Sequence, residues 1–98
     1  MSQPRICVDF NEMPTSDEVL LSKGDNVLDS SGKVVSLSDG MRVAVYMDDT
    51  DSRGKPDNLI AEGVASRNHR GGWTTAARWV LKIDRHGIHH ESESLADE

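Results

Sequence analysis

The sequence predicts a mostly β fold: a single small antiparallel barrel or sandwich of six or seven short strands. Three observations support this. Segments 41–47, 58–66 and 77–84 carry strand periodicity or β-branched content and are joined in order by polar loops, as in an antiparallel meander. Elsewhere Gly, Pro, Asp, Asn and Ser interrupt every apolar run before it reaches helical length. With 98 residues the chain has material for one hydrophobic core, so one barrel fits and two do not.

Taken in order, RICVDF at 5–10 is β-leaning and reads as a strand, followed by the polar connector NEMPTSDE, which Pro14 breaks. EVLL at 18–21 and NVL at 26–28 are short apolar runs separated by the turn SKGD. DSSGK at 29–33 is a tight turn with Gly32 free to take positive φ, KVVSL is a short strand, and SDG at 38–40 closes it. In MRVAVYM, Met41, Val43, Val45 and Met47 share one face and Arg42, Ala44 and Tyr46 the other. NLIAEGVAS contains Gly63, which suggests a bulge or a sharp bend. In ARWVLKID, Trp79, Leu81 and Ile83 point one way, and IHHES supplies a short last strand. TTAARWVLK has a competing helical reading capped by Thr74, but WVL is the better strand former. The expected core is Val8, Val43, Val45, Ile60, Val64, Trp79, Leu81 and Ile83. Residues 1–90 form the β domain and 91–98 an acidic flexible tail. In strand rhythm, over about residues 18–90, the chain resembles the SH3-like small barrels, without a diagnostic motif.

Composition narrows the function classes. Only four aromatics are present (Phe10, Tyr46, Trp73 and Trp79), so the core rests on aliphatic side chains. No apolar run approaches the roughly 18 residues that span a membrane, and MSQPRICVDF lacks the pattern of a signal peptide. The lone Cys7 excludes an intrachain disulfide and a Cys-rich zinc site, which points to the cytoplasm. Residues 1–52 carry net charge −6, residues 53–90 carry +4 and the tail ESESLADE carries −4. The acidic first half and tail argue against wrapping by nucleic acid, which needs a concentrated cationic footprint.

Three stretches carry candidate chemistry. YMDDTDSRGKPDN at 46–58 has the acid density of a calcium loop. Counted from Asp49, however, an EF-hand places Arg53 at its fifth position and Ile60 at its twelfth, where it needs oxygen ligands. It reads as a hairpin loop. His86, His89 and His90, with Glu91 and Glu93, offer ligands for zinc, copper or nickel. On a strand, His86 and His90 would face one way and His89 the other, so a solvated strand with pH-dependent charge between about pH 5 and 7 is preferred. In SRNHRGGWTTAAR, Arg67, His69, Arg70 and Arg78 surround the Gly71–Gly72 pair and Trp73. Guanidiniums fit phosphate or carboxylate and an indole stacks on a base or a cation, although a loop tryptophan also serves to plug a barrel end.

Catalysis finds little support. Cys7 lies in an apolar strand where a thiol is expected to be buried and inert, and neither a nucleophile elbow nor a phosphate-binding glycine motif is present. The expectation is a non-enzymatic binding module without a cofactor, acting through Arg67, His69, Arg70, Trp73 and Arg78. Its expected partner is an acidic protein segment. A metal-binding protein using the histidine cluster and a weak nucleic-acid-binding barrel are the alternatives.

Overall fold

The computed structural model describes residues 4–96, apart from the side chains of Trp73 and of residues 94–96. Its strands are β1 (Ile6–Cys7), β2 (Glu18–Ser22), β3 (Asn26–Leu28), β4 (Val34–Ser36), β5 (Arg42–Met47), β6 (Leu59–Arg67), β7 (Trp79–Ile83) and β8 (His89–His90). A 3-10 turn spans Gly72–Thr74 and a short helix, α1, spans Glu91–Ala96. The mostly β expectation holds, with eight strands among the described residues in place of six or seven; β1 and β8, both read as strands in the sequence, are two residues long. TTAARWVLK is turn followed by strand. The Thr74 hydroxyl donates back to the Gly71 carbonyl at 3.0 Å and the Ala77 amide bonds the Thr74 carbonyl at 3.0 Å, closing one tight turn before β7.

The meander is present: β5 pairs antiparallel with β6, and β6 with β7. β2 adds antiparallel to β7, and β1 adds to β5 on the far side, giving the order β1-β5-β6-β7-β2 with β8 on β6. β1 departs from the all-antiparallel expectation. It runs parallel to β5, with Ile6 opposite Val45 and Cys7 opposite Tyr46. A parallel neighbour requires a long crossover, and β2 to β4 supply it. β1 and β2, the two ends of the order, are not paired with each other, so the sheet is a half-barrel with an open seam. β3 and β4 form a separate hairpin.

The concave side encloses the core, with Ile6, Val19, Leu21, Val45, Trp79 and Leu81 at its centre. Val8, Val43, Val45, Ile60, Trp79 and Leu81 are buried as expected. Val64 and Ile83 are only half-buried. Val64 lies opposite Arg42 and Lys82, on the face of β6 away from Ala61 and Ala65, and that face carries charge. Gly63 marks no bulge, because register runs unbroken through it on both sides; the irregularity lies between Leu20 and Ser22 of β2. Its role is close approach. A Cβ at Gly63 would collide with the Lys82 carbonyl oxygen and lie 2.7 Å from its carbon. β7 therefore packs directly against bare backbone.

Two hairpins turn on the same five-residue device, DSSGK at 29–33 and DSRGK at 51–55. In the first, the Gly32 amide bonds the Asp29 carbonyl at 3.0 Å, the Asp29 amide bonds the Lys33 carbonyl at 2.9 Å, and Asp29 Oδ1 accepts the amides of Ser31 and Lys33. The second repeats each bond with Asp51, Arg53, Gly54 and Lys55. Gly32 and Gly54 sit at φ +85° and +81°, a conformation that side chains disfavour. Both are type I turns with a left-handed glycine.

Residues 91–96, expected within a flexible tail, form α1. The Glu91 amide bonds the Asn58 carbonyl at 2.9 Å, and Asp57 accepts from the Ser92 amide at 3.0 Å and from its hydroxyl at 2.8 Å. A carboxylate from the loop between β5 and β6 thus caps the start of the helix.

Candidate functional site

β6 and β7 deliver the arginines of the 66–78 loop to two separate places. Arg67 and Trp79 face each other across the β6–β7 pair, and the Arg67 guanidinium carbon lies 5.1 Å from the centre of the Trp79 ring. Asp25, from the turn between β2 and β3, accepts the Trp79 indole N–H at 3.0 Å and an Arg78 guanidinium N–H at 3.1 Å. The indole bond, then the charges of Arg78 and Arg67, hold the Asp25 carboxyl below its ordinary range. Arg67 and Arg78 therefore form one cluster at the barrel end, stacked on the edge of the core. Asp39 accepts the Arg67 amide at 3.3 Å and tempers the local positive charge.

Arg70 is not part of that cluster. It reaches Glu18 at 2.7 Å, at the other end of β2. Glu18 is 9% exposed and also receives the Thr15 hydroxyl. Glu18, Leu20, Val80 and Lys82 share the outer face of β2 and β7, so Arg70 straps the loop across the sheet. His69 is exposed. The side chain of Trp73 lies outside the described residues. The loop is held in place by Asn68, whose amide N–H groups donate to the carbonyls of Thr74 at 2.8 Å and Ala77 at 2.9 Å.

The open seam is a cleft. About 450 Å³ in volume, it lies between β1 and β2, with Cys7 and Val8 on one side, Leu20 and Leu21 on the other, and Val27 and Ala77 closing it. Cys7 is exposed here, against the expectation of a buried thiol. β1 is an edge strand whose core positions are Ile6 and Val8, so alternation turns Cys7 outward. Asp9 and Glu12 line the cleft at one part of its rim, and Ser22 and Lys23 at another. The rim at Lys23 joins the arginine cluster: the Ser22 carbonyl accepts the Arg78 amide at 2.9 Å, and Ala76 and Ala77, which precede Arg78, line the cleft.

The histidines diverge. His86 is exposed in the turn after β7. His89 Nδ1 lies 3.3 Å from the Gly87 carbonyl, and His90 turns to Asp49 and Glu93. In the 48–58 loop, Asp51 caps its own turn while Asp49 and Asp57 serve His90 and Ser92. Among the described residues, no group of three or more His, Cys, Asp or Glu side chains is placed to hold a metal ion, and no helix is long and apolar enough to cross a membrane.

Sequence reasoning missed Asp25 and Glu18, which organise the basic loop. Both lie more than fifty positions from the arginines they meet, and Asp25 had the ordinary look of a turn residue in SKGD. The cleft had no local signal, since it arises where the two ends of the sheet fail to pair. In comparisons with known proteins, no family model, no curated protein and no solved structure matches the chain.

Proposed function

We propose that the chain is a small non-enzymatic binding module of the cytoplasm, SH3-like in strand rhythm. In this reading an acidic protein segment lies along the seam cleft and against the lip formed by Lys23, Arg67 and Arg78. The observation that carries this reading is the adjacency of an apolar cleft to a rim with two guanidiniums around one carboxylate. Apolar side chains of the segment provide most of the contact, as is usual for concave sites. The charges set direction: an acid of the segment faces the lip, away from Asp9 and Glu12. The exposed His69 extends the contact surface on the same loop, and Arg70, already bound to Glu18, acts by holding the loop.

The test is an NMR titration with a pool of decapeptides rich in Leu, Phe, Glu and Asp, against a pool in which Lys replaces the acids. The acidic pool should shift the amides of Leu20, Leu21, Val27, Ala76 and Ala77, and the shifts should weaken as salt rises. Ala76→Phe, at an exposed position on the cleft wall, should abolish them at unchanged melting temperature. Arg67→Glu should weaken them; Trp73→Ala should weaken them at unchanged melting temperature if the indole is a contact, and should lower the melting temperature if it plugs the barrel end. Equal response to both pools, or no response in the cleft, overturns the proposal. Salt-sensitive shifts centred on Trp73 with a single-stranded oligonucleotide, and none with peptides, would assign the loop to nucleic acid instead.

A further inference from the structure

His90 sits in β8 between two carboxylates from different parts of the chain. Its Nε2 lies 3.0 Å from Asp49 Oδ2 in the hairpin loop, and its Nδ1 lies 3.3 Å from Glu93 Oε1 in α1. A carboxylate only accepts hydrogen bonds, and a neutral imidazole carries one N–H. Both contacts can therefore be hydrogen bonds only when the ring is an imidazolium. We propose that His90 is a proton-operated clasp, which ties α1 to the 48–58 loop when charged and releases the Glu93 side of the helix when neutral.

The surroundings favour this. Asp49 and Asp57 approach from the loop and Glu93 from the helix. The cation Arg5 is occupied with Glu91, at 4.0 Å. His89 adjoins on β8 with its ring toward Gly87. The bonds to Asp49 and Glu93, with the Asp57 charge behind them, raise the His90 pKa above its ordinary value of 6.5. Because the folded value is the raised one, the clasp is fully closed below the unfolded pKa of about 6.5 and opens as pH rises through the folded value. With the ring neutral, the bonds at Glu91 and Ser92 hold the start of the helix alone and open more often, without the helix leaving the domain.

Two measurements on the full chain test the clasp. In an NMR titration His90 should titrate above 6.5, Asp49→Asn and Glu93→Gln should each lower its midpoint, and the double variant should lower it furthest. Hydrogen exchange, corrected for intrinsic base catalysis, should show protection of the Glu91 and Ser92 amides falling by up to about tenfold per pH unit around that midpoint, the limit for one linked proton. His90→Lys, a cation across this range, should flatten the profile. A midpoint at or below 6.5, a midpoint unmoved by Asp49→Asn, or protection independent of pH in the native chain overturns the proposal.

Discussion

At the scale of single residues, the tightest constraint falls on Gly63. The Lys82 carbonyl occupies the space of a side chain there, so Gly63→Ala must push β7 away from β6. A cost of about 1–3 kcal/mol is expected, the range for overpacking a close-packed interior. Urea unfolding of the variant measures it, and the same substitution at open Gly24, where nothing lies within 4 Å, is the control. Leu81 poses the opposite case. It is fully buried against the concave face, and Leu81→Ala should cost about 2–5 kcal/mol through lost transfer energy and a residual cavity. The exposed Leu28 and Val34, facing each other on the free side of the β3–β4 hairpin, should tolerate polar replacement within about 0.5 kcal/mol.

At the scale of elements, the repeated D-S-x-G-K turn predicts equal behaviour at two sites. Gly32→Ala and Gly54→Ala each place a side chain in the left-handed region, which costs roughly 1–2 kcal/mol, and the two urea midpoints should shift alike. Unequal shifts would mean that one hairpin is constrained from outside the turn. These local devices were the most legible part of the chain. Period two in MRVAVYM and RWVLKI marked two strands of the meander correctly, and turn chemistry marked their ends, because both signals act over a few residues. Partnerships over distance were not legible. Arg70 resembles Arg67 and Arg78 in sequence, yet it crosses the sheet to Glu18 while they share Asp25. β1 reads as a six-residue strand but pairs through two, because after Val8 bonds the Tyr46 carbonyl the chain turns away, with the Glu12 amide on the Asp9 carbonyl.

At the scale of the whole molecule, charge is organised by pairing more than by its sum. Asp25, Asp29, Asp49 and Asp57 all have pKa values lowered by hydrogen bonds from Trp79, Ser31, His90 and Ser92 respectively. A lowered folded value means that their stabilisation is present above the unfolded carboxylate pKa of about 3.9 and disappears as pH falls through the folded values. His90 contributes with the opposite sign, losing its share as pH rises above about 6.5. Stability should therefore peak between about pH 4 and 6.5, and urea midpoints measured from pH 2 to 9 should fall on both sides of that plateau. The parallel pairing of β1 also sets an order of events during synthesis. Ile6 leaves the ribosome well before Val45 exists to receive it, whereas β5, β6 and β7 meet as sequential neighbours. The meander, whose strands pair in sequence order, can assemble first, and β1 remains an unpaired apolar segment until that template is complete. A nascent chain arrested before β5 would thus display Ile6, Val8 and Phe10 to chaperones, and completing β5 would withdraw them.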